Sequence, residues 1–170
     1  MSSLILYGNR LSGHSYKIRL ALVVDGVAMV QSNAILQWLA ESQGVLAGQP
    51  GERQVLREWL SWESNRIGLS LPNLRYARRF ESQPAAVEAW LEQRCRADLD
   101  VLDAQLATQD YLLAGGLSLA DLSASAYLWW AADAGIDLQG WPHVGAWLAR
   151  IAAQPGWQHP DVLMAPESGH

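Results

Sequence analysis

The stretch "PAAVEAWLEQRCRADLDVLDAQLA", Pro84 to Ala107, constrains the fold more than any other part of the sequence. Val87, Leu91, Cys95, Leu99, Leu102 and Leu106 return at helical spacing, and acids and arginines take the outside. A helix with one long apolar stripe must bury that stripe against other elements. The flanking segments supply them. "ERQVLREWLSWESNRIGLSL" sets Val55, Trp59, Trp62 and Arg66 on one stripe, with Leu56, Leu60 and Ile67 beside it. "SLADLSASAYLWWAADAG" predicts a third helix and "WPHVGAWLARIAAQPGW" a fourth, with Pro142 at a first-turn position that tolerates it. The tail "HPDVLMAPESGH" reads as irregular. Residues 53–170 are thus expected to form an all-α domain.

The sequence before this region is built differently. "LILYG", Leu4 to Gly8, reads as a short buried strand ended by Gly-Asn. "SYKIRLAL" follows, and its Ser-Gly-His-Ser lead-in favours a helix start. Asp25-Gly26 between Val23-Val24 and Val27-Ala28 signals a tight hairpin. Ser32 is then a candidate N-cap for "NAILQWLAES", where Ala34, Ile35, Trp38 and Leu39 fall at helical spacing. "QGVLAGQPGE", with three glycines and a proline, is the linker candidate. The expected division is a small α/β part over residues 1–42, a linker over 43–52 and the helical domain from 53, mainly α overall.

Charge and cysteine content exclude several classes. The net charge is −5, and the single lysine, Lys17, and the arginines are scattered, so no basic footprint for nucleic acid or an anionic membrane surface is present. One cysteine, Cys95, allows no intrachain disulfide, and its place on the apolar stripe marks it as core rather than nucleophile. The apolar run at Leu4 to Leu6 is too short for a secretory leader core, and no run approaches the length of a membrane span. The expected localisation is cytoplasmic. His143, His159 and His170 show no metal-ligand spacing with Cys or acids, so no metal is expected.

The sharpest local signature is "GGLSLADL". With Ser118 as N-cap, Asp121 stands at N3 in a variant capping box, and Leu117 can staple to Leu122. Alone, this marks a helix start in any all-α protein. In order along the chain, however, "LYGNRLSGHSYKIRLAL", "VAMVQSNAILQWLAE", "GLSLADL" and "WPHVGAWLARIAAQPGW" resemble segments of the glutathione transferase superfamily, bacterial type. The resemblance implies a thioredoxin-like N-terminal part and a helical C-terminal domain. It also implies conjugation of the glutathione thiolate to a small electrophile, with glutathione as co-substrate and a homodimer as the working form.

Carried over residue by residue, Ser12 matches the family's serine-type thiolate activator, helped by the helix start that follows it. The alternative is that Ser12 only caps that helix. Ser15 is a weaker second candidate. Gln31-Ser32 matches the γ-glutamyl carboxylate site, a role suited to a hydroxyl beside helix N-terminal amides; the alternative is a cap without ligand. His14 is a candidate anion contact or an exposed turn residue. Trp62, Tyr76 and Arg79 lie in the segment that would line the electrophile pocket, although the nine tryptophans also suit core packing.

One departure from the family is large. The family's first helix leads to a second strand, a second helix and a cis-proline loop before the last two strands. Here Leu22 runs straight into Val23, and no proline precedes Pro50. That loop supplies the backbone strip that holds the cysteinyl amide of glutathione, so conjugation is expected to be weak; the alternative is a non-catalytic relative serving as a dimerising or ligand-binding module. An extended chain reaches only ~3.3–3.6 Å per residue, so Leu20 to Val23 cannot cross a sheet. Either the first helix is short or remodelled, or the hairpin changes direction, or the first strand and helix join a partner's sheet by domain swapping. The lost second strand also exposes a sheet edge that invites pairing with another chain.

Overall fold

The computed structural model describes residues 31–165. The strand at Leu4 to Gly8, the helix after it, the Asp25-Gly26 hairpin and the junction at Leu22-Val23 lie outside these residues. Among the described residues every regular element is helical. In chain order they are α1 (Ser32–Gln43), α2 (Arg53–Asn65), α3 (Ile67–Arg79), α4 (Ala85–Leu106), α5 (Leu119–Ser125), α6 (Pro142–Ala152) and α7 (Pro160–Leu163), with short 3-10 turns at Pro50–Glu52, Leu128–Ala134 and Leu138–Gly140.

The stripe on α4 is the spine of the core. Leu91, Cys95, Leu99, Leu102 and Leu106 are buried, whereas Val87 at the N-terminal end is 40% exposed. The stripe is not purely apolar. Asp98 is also buried, accepting a hydrogen bond from Ser70 Oγ at 2.9 Å and facing Arg66 Nε at 3.5 Å. α4 therefore packs on α3 through an apolar seam with one polar stitch. On its other side α4 holds α6: Asp103 Oδ1 accepts from the amides of His143 at 2.8 Å and Val144 at 3.1 Å. Trp141 and Pro142 cannot cap that helix with their own side chains, so a carboxylate from another helix caps it instead.

The region expected as one helix from Arg53 through Leu71 is two. α2 ends at Arg66, whose backbone (φ −120°, ψ −105°) leaves the helical region, and α3 restarts at Ile67. The buried line is Leu56, Leu60, Glu63 and Ile67, one position round from the expected Val55–Trp59–Trp62–Arg66 stripe. The break accommodates Glu63, whose carboxylate turns inward against Gly68, where a Cβ would collide with it. Pro72, inside α3, has no backbone N–H to donate to the preceding turn.

The third expected helix is also shorter. α5 stops at Ser125, and Leu128–Ala134 tightens into a 3-10 turn kinked at Trp130 and ended by Gly135 at φ +66°. Its two adjacent tryptophans divide as a helix requires: Trp130 is buried, and Trp129 is half-buried against Trp157 with ring centroids 4.9 Å apart. The tail is not wholly irregular, because α7 forms a helical turn that buries Met164.

The segment between α1 and α2 is pinned at three points. Gly44 closes α1 in the left-handed conformation. Leu46 C=O accepts from Leu119 N–H at 2.9 Å. Glu52 accepts from Gln49 N–H and from Gly115 N–H, each at 2.7 Å. α1 itself contributes Leu36 and Ala40 to the same buried cluster as α2 to α6. Its inward face is Leu36, Leu39 and Ala40; of the expected positions only Leu39 is fully buried, and Ala34 is exposed.

Candidate functional site

The start of α1 is the one predicted site within the described residues that has an unusual backbone. Gln31 precedes the helix with φ +71° and ψ 112°, a conformation that L side chains rarely adopt. Such strain costs on the order of 1–3 kcal/mol and persists only where the surroundings enforce it. Gln31 is exposed and takes the N-cap position; its carbonyl accepts from Ile35 N–H at 3.0 Å. Ser32 is the first helical residue rather than the cap, so the helix starts one residue earlier than expected, and Ser32 is half-buried. A cap at Ser32 would have put Ile35 at N3, and an aliphatic side chain cannot close a capping box. The pair stands where the α1 dipole presents its positive end, an arrangement that suits a carboxylate.

Immediately behind this pair, Asn33 turns inward. Its Nδ2 donates toward Leu60 C=O at 2.9 Å, Glu63 Oε2 at 3.0 Å and Ser64 Oγ at 2.9 Å. Its Oδ1 accepts from Ser123 Oγ at 2.9 Å, and the same hydroxyl reaches Glu63 Oε2 at 2.9 Å. Glu63 and Ser123 are both 1% exposed. Sequence reading missed all three. Asn33 sits off the apolar pattern, and no local spacing marks Glu63 as buried.

Ser12, Ser15 and His14 lie outside the described residues. Trp62, Tyr76 and Arg79 are placed on two helices and engage different partners. Trp62, on α2, meets Trp59 edge to face at 5.2 Å. Tyr76, on α3, donates its hydroxyl to Glu81 at 2.8 Å and lies 5.9 Å from the Phe80 ring. That hydrogen bond, with the Glu81 charge behind it, pushes the Tyr76 phenol above its ordinary value. Arg79 is 57% exposed and faces Asp133 at 3.4 Å; buried Arg75 shares that carboxylate at 3.1 Å and lies over the Trp130 ring at 4.5 Å.

The capping box is fully formed. Ser118 Oγ accepts from Ala120 N–H at 3.2 Å. Asp121 Oδ2 accepts from Ser118 N–H at 2.8 Å and from its hydroxyl at 2.9 Å. Asp121 Oδ1 takes Leu112 N–H at 2.8 Å and Trp147 Nε1 at 2.9 Å. Burial pushes the Asp121 carboxyl above its ordinary value, and these four donors oppose that shift. Cys95 is fully buried, and burial raises its thiol to about 12, which suits core and not a nucleophile. Among the described residues no group of three His, Cys, Asp or Glu is placed to hold a metal ion, and no helix is long and apolar enough to cross a membrane.

Comparison with known proteins fits this geometry. The family model "Glutathione S-transferase, C-terminal domain" matches residues 70–155, half of the chain, from the first turn of α3 to beyond α6. The chain belongs to the glutathione S-transferase superfamily. Among curated proteins it is 28% identical over 134 residues to the disulfide-bond oxidoreductase YfcG of Escherichia coli, covering 77% of this chain and 62% of that one. It is 26% identical over 152 residues to the trimodular acetylaranotin synthesis protein ataIMG of Aspergillus terreus, covering 85% of this chain but only 15% of that protein. The chain thus spans less than two thirds of either. Among solved structures, a glutathione S-transferase from Xanthobacter autotrophicus superposes with a TM-score of 0.82 at 28% identity, over 89% of this chain and 94% of that one. A Burkholderia graminis glutathione transferase holding two glutathione molecules per subunit shares the fold at a TM-score of 0.78 and 17% identity, over 94% of this chain and 87% of that one.

Proposed function

We propose that the chain is a glutathione transferase-like protein that conjugates the glutathione thiolate, weakly, to small electrophiles. The observation that carries this reading is the start of α1. A Gln-Ser pair that matches the family's γ-glutamyl site stands at a helix N-terminus, with Gln31 held in a strained backbone. In this reading Gln31 and Ser32 take the carboxylate, Ser12 supports the thiolate and His14 faces the same ligand. Trp62, Tyr76 and Arg79 would meet the electrophile. Residues 1–42 would be the glutathione part, 43–52 the linker and 53–170 the helical domain, working in the cytoplasm. The missing proline loop is the reason for weak turnover.

A homodimer suits this reading, through edge-strand pairing or a swapped first strand. The outer face of α4 adds support: Val87, Trp90 and Val101 are 40%, 49% and 42% exposed at heptad-like spacing. A second reading, a non-catalytic dimerising or ligand-binding module, is favoured by the absence of any proline before Pro50.

Conjugation of glutathione to a chlorodinitrobenzene, followed by absorbance, separates the two. A rate above the uncatalysed one that saturates with glutathione and falls in Ser12→Ala supports the enzyme. Glutathione binding without turnover supports the module, and no binding at all removes both glutathione readings.

A further inference from the structure

We infer that Asn33 is a positioning residue: clamped by Glu63 and Ser123, it sets the aim of Gln31 and Ser32 at the start of α1. The consequence for binding rests on the reading that this pair takes the glutathione carboxylate.

The clamp joins three helices at one buried carboxylate. Asn33 comes from α1, Glu63 from α2 and Ser123 from α5. Both ends of the Asn33 carboxamide are engaged, its Nδ2 by α2 and its Oδ1 by the Ser123 hydroxyl. A planar group held at both ends has one orientation, so the backbone one residue upstream is fixed as well. The apolar contact between α1 and the helical body is already supplied by Leu36 and Ala40. Burying a carboxylate beside it costs desolvation that a leucine would not, and registry is the best-attested return on such a cost. The Glu63 charge also lies near the positive end of α1, which favours it there.

The geometry accounts for the strain at Gln31 too. A left-handed non-glycine residue relaxes unless its neighbours are held, and Asn33 is held two residues away. Ser123 is the sensitive member, because its single hydroxyl proton is shared between Asn33 Oδ1 and Glu63 Oε2 at 2.9 Å each. Removing that hydroxyl loosens both partners while changing little volume.

The test is Ser123→Ala in the full chain, with Ser123→Thr as the conservative control and Asn33→Asp as the severe variant. Amide hydrogen exchange is read across the chain, and glutathione affinity is read by calorimetry. The clamp predicts faster exchange confined to residues 32–36 in Ser123→Ala, with α4 and α6 unchanged. It predicts a glutathione Kd raised about tenfold, since small misplacements of a binding group weaken it steeply. The KM for the electrophile stays the same, Ser123→Thr behaves as wild type and Asn33→Asp exceeds Ser123→Ala. Unchanged exchange at the α1 start overturns the inference. So does faster exchange with an unchanged Kd, or loss of protection spread over α4 and α6 with both KM values altered, which is an ordinary packing role. If the wild-type chain binds no glutathione, the functional reading fails, and exchange at residues 32–36 alone decides the clamp.

Discussion

Two helices in this molecule begin beside a serine and are built in opposite ways. At α5, Ser118 and Asp121 are both fully buried and satisfy each other and the chain around them. At α1, Ser32 is inside the first turn, and the exposed cap residue Gln31 is strained and makes no side-chain cap hydrogen bond. The difference follows from the residue three positions on: Asp121 can close a capping box and Ile35 cannot. One start holds a loop, a helix and Trp147 together. The other keeps its polar end turned outward while Asn33 ties its inner side down. On the proposed function, the first serves stability and the second serves a ligand.

Substitutions should separate these roles. The largest effect is expected at Asp121→Ala, which leaves the amides of Leu112 and Ser118 and the Trp147 indole N–H buried without their acceptor. Urea unfolding should show a loss of about 3–5 kcal/mol. Ser118→Ala removes one cap acceptor and should cost about 0.5–2 kcal/mol by the same measurement. Gln31→Gly should have the opposite sign, a gain of at most about 1 kcal/mol, because glycine lacks the Cβ that makes φ +71° costly.

The smallest expected effect is a change of slope with pH. Burial raises the Asp98 carboxyl above its ordinary value of 3.8, so over that window the folded chain holds its proton while the unfolded chain has lost it. Stability from this group is therefore full below the unfolded value and declines as pH rises through the folded one. The stability difference between wild type and Asp98→Asn should fall with rising pH across that window and stay level above it. A difference that grows with pH there would mean that Arg66 and Ser70 outweigh burial.

The helical body was largely legible because period and caps are local. The α4 stripe, the Pro142 start of α6 and the Ser118-Asp121 box are written in residues three or four apart. What escaped was set by distant partners. The break at Arg66 depends on Glu63 turning inward against Gly68 and toward Ser123, sixty residues away in sequence. The cap of α6 comes from Asp103 on α4. Asp98 was placed with the outward acids of its helix, and Glu63 carried no mark of burial, because sequence spacing does not show which acids find donors in the core. Of the candidate site, Gln31 and Ser32 were singled out by resemblance, and the Asn33 contacts behind them had no local signature.

The central claim is that the two helix starts divide stability from binding, and it is tested most directly by measuring melting temperature and glutathione affinity together in Ser32→Ala and Ser118→Ala. The account predicts that Ser32→Ala weakens glutathione binding tenfold or more with its melting temperature close to wild type. It predicts that Ser118→Ala melts several degrees lower with its glutathione affinity kept. Equal affinity in Ser32→Ala and wild type, or a loss of melting temperature in Ser32→Ala matching that of Ser118→Ala, would contradict it.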